Sequence, residues 1–134
     1  MSAESRVRAY YDALRGGDPL YAYFAPSDAV VKFGISEHLD GYEEVEAALR
    51  EQTRTTADWQ VESRDLRVTE RDRHAWFADL VGMGWTDVER GIRFEFDTRW
   101  SGTLERERRT RGESEESPGD WRFVAMHVST AGDL

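Results

Sequence analysis

Three histidines, His38, His74 and His127, are the side chains of this chain best suited to proton transfer near neutral pH. His127 shares alternate positions of the last apolar stretch with Trp121, Phe123 and Ser129. An imidazole among apolar neighbours can serve as a general base, or can sit in the core bonded to a backbone carbonyl. His38 stands between Gly34 and Gly41, beside Glu37 and Asp40, where it could meet a substrate, hold a metal or decorate the surface. The three are widely spaced and lack a His-x-x-x-His pattern, so no metal site is expected. Tyr10 carries a hydroxyl that can donate to developing negative charge in a dry pocket, or can simply fill a core. Asp97 and Arg99 alternate with Arg93 and Glu95 on one side of a late strand, either as a solvated charge ladder or with one end turned inward. There is no Gly-x-Ser-x-Gly elbow and no Walker or Rossmann glycine pattern, so neither a serine hydrolase nor a nucleotide cofactor is expected.

The elements that must position these groups follow from periodicity. Val7, Tyr10, Tyr11 and Leu14 fall at i, i+3, i+4 and i+7, which predicts a helix stopped by Gly16-Gly17. Asp18-Pro19 predicts a second, short helix that carries Leu20, Tyr23 and Phe24 inward. Ala29 to Phe33 reads as a strand, Gly34 to Gly41 as a loop, and Tyr42 to Thr53 as a third helix with Glu43, Glu44 and Glu46 at its positive end. From Trp59 onward the period becomes two. Trp59 and Val61 have the opposite parity to Leu66 and Val68, which predicts a β-bulge between Glu62 and Asp65. Strands are expected over His74 to Trp85, Ile92 to Leu104 and Trp121 to Ser129. The charged stretch from Glu105 to Asp120 is expected to be a mobile hairpin tip. Helices first and strands later indicate an α+β fold, a single domain over residues 1–134 with helices on one face of an antiparallel sheet.

Composition narrows the partners. The 134 residues carry 18 Lys+Arg against 27 Asp+Glu, a net charge of −9, which argues against a nucleic-acid binder. No apolar run approaches the roughly 20 residues of a membrane span, and no apolar stretch follows the N-terminus, so a cytoplasmic protein is expected. Cysteine is absent, which removes disulfides and thiolate chemistry. Lys32 is the one lysine among the basic residues. Abundant carboxylates with almost no lysine resemble the proteins of salt-accumulating halophiles, and a GC-rich genome also favours arginine over lysine.

Four stretches carry a family resemblance: Ala13-Leu14-Arg15-Gly16-Gly17-Asp18, Asp28-Ala29-Val30-Val31, Gly41-Tyr42-Glu43-Glu44-Val45, and Trp121-Arg122-Phe123-Val124-Ala125-Met126-His127-Val128-Ser129. In this order they resemble the nuclear transport factor 2-like superfamily, and its SnoaL-like branch most closely. The resemblance implies three N-terminal helices packed on a curved sheet that encloses a cone-shaped pocket, and homodimers through the outer sheet face. It also implies roles. Tyr10 matches the oxyanion-stabilising tyrosine of the superfamily's steroid isomerases. Phe33 stands where those enzymes carry their aspartate base, so that base is missing. Asp97 resembles their late-strand acid, and Thr98-Arg99 resembles a pocket arginine of the kinase-association members.

The expected site is a pocket lined by Tyr10, Phe33, Trp100 and His127, with Arg99 or His38 near its polar end and His127 as the proton acceptor. Arg99 and Trp100 have opposite parity, so both face the pocket only if the strand is irregular. Such a site would bind a small apolar or anionic metabolite and perform isomerase, cyclase or hydrolase-type chemistry. The alternative is a non-catalytic dimeric binding or scaffolding domain.

Overall fold

Gly17 ends the first helix because it takes a left-handed conformation that a side chain would strain (φ 70°), letting Asp18 N–H bond back to the Ala13 carbonyl at 2.9 Å. At the other end Ser2 caps the helix, its hydroxyl accepting from Ser5 N–H at 3.0 Å. This helix, α1, spans Ala3–Gly16 in the computed structural model, which describes residues 2–106 and 120–132. Its apolar stripe, Val7, Tyr10, Tyr11 and Leu14, is buried as the spacing requires.

The second expected helix shrinks to one 3-10 turn at Tyr21–Tyr23. The backbone after it is taken by another partner: Phe24 forms a parallel bridge to Phe123, and Ala25 N–H donates to the Phe123 carbonyl at 2.9 Å. The fold therefore has two α-helices, α1 and α2 (Tyr42–Thr55), among the described residues.

The strands are β1 (Val31–Gly34), β2 (Glu37–Asp40), β3 (Thr56–Ser63), β4 (Arg67–Glu70), β5 (His74–Asp87), β6 (Ile92–Arg106) and β7 (Trp121–Thr130). They form one sheet in the order β2-β1-β7-β6-β5-β3, with β4 also on β5. The sheet is mixed rather than antiparallel throughout, because β1 runs parallel to β7. The expected loop over Gly34 to Gly41 is instead a tight hairpin: β1 and β2 pair from Gly34↔Glu37 outward, leaving only Ile35 and Ser36 as the turn. Ser36, the second turn residue, takes the positive angle φ 59°.

Three irregularities curve the sheet and decide which side chains look inward. On β3 the register to β5 shifts between Ala57 and Gln60, with Asp58 at φ 53°. A second extra residue lies between Ser63, opposite Val81, and Arg67, opposite Ala78, where the parity of the sequence required one. Buried Asp79 repairs that gap, accepting from Tyr11 Oη at 2.9 Å, Ser63 Oγ at 2.6 Å and Asp65 N–H at 2.9 Å. The third shift is on β7: Leu104 pairs with Phe123 but Thr103 pairs with Ala125, so Val124 is the extra residue. Trp121 and Phe123 are buried before it, and Met126 and Val128 after it.

The buried apolar residues of α1, α2 and the inner sheet face form one connected cluster. At its centre Tyr10 meets Phe24, Phe123 and Trp100 edge-on, with ring centroids 5.4–6.1 Å apart. Burying each such aromatic contributes roughly 2–3 kcal/mol. The tip of the expected hairpin between β6 and β7 falls in residues 107–119, outside the described residues.

Candidate functional site

Lys32 is buried, and its position follows from strand alternation. Val30 and Lys32 point into the cone while Phe33 points out, 42% exposed. Lys32 Nζ donates to Glu37 Oε1 at 2.5 Å. The hairpin holds Glu37 in place. Gly34 is its register partner, and a Cβ on Gly34 would lie 2.8 Å from Glu37 Oε1. Any side chain at 34 would displace the carboxylate from Lys32.

The pair closes one end of a cavity of about 410 Å³ between the helices and the inner sheet face. Tyr10 and Leu14 of α1, Ala48, Gln52 and Thr55 of α2, and the side chains of Trp59, Met83, Trp85 and Trp100 line the rest. Trp59 and Trp85 are stacked, centroids 4.9 Å apart and planes 18° off parallel. Trp59 is fixed by its Nε1–H, which donates to Thr56 Oγ1 at 2.8 Å; that hydroxyl in turn donates to the Gln52 carbonyl at 2.5 Å. Trp100 is fixed likewise through Thr98 Oγ1 at 2.9 Å. These bonds fix the orientation of the Trp59 and Trp100 indoles in the cavity wall.

Burial dominates the electrostatics at the Tyr10 end of the site. Burial first, and then the charges of Glu37 and Tyr23, push the Tyr10 phenol far above its ordinary range, so it stays a donor. Its hydroxyl has no hydrogen-bond partner among the described residues. Lys32 and Glu37 cancel each other's charge. At the rim, Glu51 is held below the usual carboxylate range by its hydrogen bond from Arg54.

Of the expected site residues, Tyr10 and Trp100 line this cavity, with ring centroids 6.1 Å apart. The others are on the outer face. Val124 reverses the parity of β7, so His127 is exposed on the outside, tilted against Phe33 at 5.9 Å. His38 lies on β2, not in a loop, and stacks on the same Phe33 at 4.9 Å. Asp97 is exposed and ion-paired with Arg64 at 2.7 Å. Arg99 is exposed and donates to Ser129 Oγ at 3.2 Å and the Thr130 carbonyl. The parity conflict between Arg99 and Trp100 is thus settled by regular pairing of β6, with Trp100 inside. His74 is also exposed, bonded to Glu105. Sequence reasoning missed Lys32, Glu37 and Trp85. The available signal was the lone lysine within an otherwise apolar strand of an arginine-rich chain.

A curved mixed sheet closed by two helices around an apolar cavity is the nuclear transport factor 2-like cone. The SnoaL-like domain family matches residues 3–132, and the chain belongs to that family. No curated protein matches the chain. Among solved structures, a nuclear transport factor 2-like superfamily protein from Salmonella enterica superposes with a TM-score of 0.77 at 15% identity, covering 96% of this chain and 88% of that one. A ketosteroid isomerase-like protein from Erwinia carotovora gives 0.70 at 17%, covering 97% and 94%. A protein of unknown function with the same fold from Pseudomonas putida gives 0.74 at 20%, covering 98% and 85%. At these identities the likeness is one of fold.

Proposed function

We propose that the cavity binds a small, planar, largely apolar molecule whose one polar group is a neutral carbonyl or hydroxyl. The observation that carries this reading is the composition of the cavity: three tryptophans and a methionine, with the mutually paired Lys32 and Glu37 at one end and Glu51 at the rim. A volume of about 410 Å³ suits a small metabolite. The stacked indoles of Trp59 and Trp85, 4.9 Å apart, give the cavity an aromatic wall suited to a flat ring. An anionic ligand fits less well. Arg99, the cation expected to receive it, is outside, and Lys32 already has a carboxylate against it. Tyr10 supplies a donor to the ligand oxygen, and Glu37 is the acceptor beside it, so proton transfer at this end is within reach of the pair.

A second reading is a ligand carrier without turnover. It is supported by the placement of His38, His74 and His127 outside the cavity. Fluorescence of the cavity tryptophans during titration with planar carbonyl compounds, followed by chromatography of the mixture, separates the two: both predict quenching, and only the first predicts conversion.

Pairing of two copies through the outer sheet face belongs to the same proposal. Phe33, Trp76 and Leu80 are exposed on that face at 42–51%. The register places Ala78, Ser101, His127 and Phe33 in one row across it, flanked by Trp76 and Leu80 on β5. An apolar surface of this kind on a sheet calls for a cover.

A further inference from the structure

Arginine serves at every other basic position of the chain, and the one lysine is the one inside the cavity. The two residues differ chemically in one respect that matters there. A guanidinium stays protonated, whereas an amine can give up a proton and expose a lone pair. Lys32 also has a proton acceptor already in contact, Glu37 at 2.5 Å, and that acceptor is held by Gly34 and the two-residue turn. Trp59, Trp85 and Trp100 give the cavity beside the pair an apolar wall against which an aromatic carbonyl compound can lie.

We propose that the Lys32 ε-amine takes the carbonyl carbon of a planar apolar aldehyde or ketone into a reversible imine, with Glu37 carrying the protons. The inference rests on the small-molecule reading of the cavity. Glu37 accepts a proton from the Lys32 ammonium across their hydrogen bond. The freed lone pair attacks the carbonyl carbon, forming the C–N bond as the C=O π electrons move to oxygen, toward which Tyr10 can donate. Glu37 relays a proton from nitrogen to oxygen, giving a neutral carbinolamine with Glu37 still protonated. Glu37 then protonates the hydroxyl, the C–O bond breaks, water leaves, and a protonated imine remains beside the Glu37 carboxylate. The sum is ammonium plus carbonyl giving iminium plus water. No oxidant or reductant is needed, and hydrolysis reverses it.

The test uses the intact protein, naphthaldehyde as the probe and cyanoborohydride to trap the imine as a secondary amine, located by peptide mapping. The chain has only two kinds of primary amine, Lys32 and the N-terminus. The expected result is labelling of Lys32 about tenfold or more faster than of Nα-acetyl-lysine under the same conditions, slowed in Glu37→Gln. Lys32→Arg should lose the internal label and keep the N-terminal one. The wild-type map is decisive even if a variant fails to fold. Naphthylmethanol, which cannot condense, reports binding separately through tryptophan quenching. Quenching with no label on Lys32, or labelling no faster than the free amino acid, overturns the imine while leaving the cavity reading intact. Absence of both quenching and label overturns both.

Discussion

Lys32 Nζ lies 2.5 Å from Glu37 Oε1 across the β1–β2 hairpin, and both side chains face the same cavity. An ion pair so placed is costly to halve. Glu37→Gln leaves the buried ammonium without a counter-charge and should destabilise the protein by about 3 kcal/mol. Lys32→Met should cost less, because the Glu37 carboxylate is part-exposed and its charge is already partly solvated. Combining Lys32→Met with Glu37→Gln should recover most of the loss. Urea unfolding of the four proteins checks this; additive losses in the double variant would contradict the coupling.

Alkaline pH should unfold the protein cooperatively. Burial pushes both Tyr10 and Tyr11 far above the ordinary phenol range, helped at Tyr10 by Glu37 and at Tyr11 by Asp79. An unfolded tyrosine ionises near pH 10 while these two hold their protons, so above that pH the folded state binds more protons and stability falls as pH rises. Below it, their contribution is complete. Ultraviolet titration should show two of the five tyrosines ionising only with the loss of near-ultraviolet dichroism. Five phenols ionising before that loss would contradict the burial.

Gly102 faces the irregular part of β7. A Cβ there would collide with the Ala125 carbonyl oxygen and come within 2.8 Å of the Phe77 ring. Because the first obstacle is backbone, Gly102→Ala should destabilise by about 2–3 kcal/mol. Gly132, with open space around it, serves as the control: Gly132→Ala should change little. Equal melting temperatures for the two variants would contradict this packing.

How much of this was legible in the sequence depends on which residues carried a pattern. The α1 stripe and the alternation of β6 are amphipathic, so their inward faces could be read directly, and Tyr10 and Trp100 with them. The irregularity before Leu66 showed as a parity switch between apolar sets. The one at Val124 did not, because Phe123, Val124, Ala125 and Met126 are apolar on both sides of it and either parity reads alike. That single extra residue moved His127 from the expected site to the outer face. β1 is too short to show a period, and a lysine in it reads as the outward residue. Its partner Glu37 is set by a turn that only the pairing of β1 with β2 reveals.

The charge and the outer face lead to one expectation about solution behaviour. With a net charge of −9, the melting temperature should rise with KCl as carboxylate repulsion is screened. In high salt, sedimentation should report about twice 15.5 kDa, and Leu80→Glu should reduce it to 15.5 kDa with unchanged far-ultraviolet dichroism. A salt-independent melting temperature contradicts the first statement, and a wild-type monomer contradicts the second.

The central claim is that the cavity between Lys32 and the stacked tryptophans is a binding site for a small planar molecule, and calorimetric titration of a cavity-filling variant tests it most directly. Ala48 lines the cavity from α2 and is not part of the polar pair. Ala48→Phe should therefore occupy the space while leaving Lys32 and Glu37 in place. Wild-type protein should bind naphthylmethanol, and Ala48→Phe should weaken that binding about tenfold or more at an unchanged melting temperature. Equal affinity in the two proteins would place the ligand elsewhere and contradict the account.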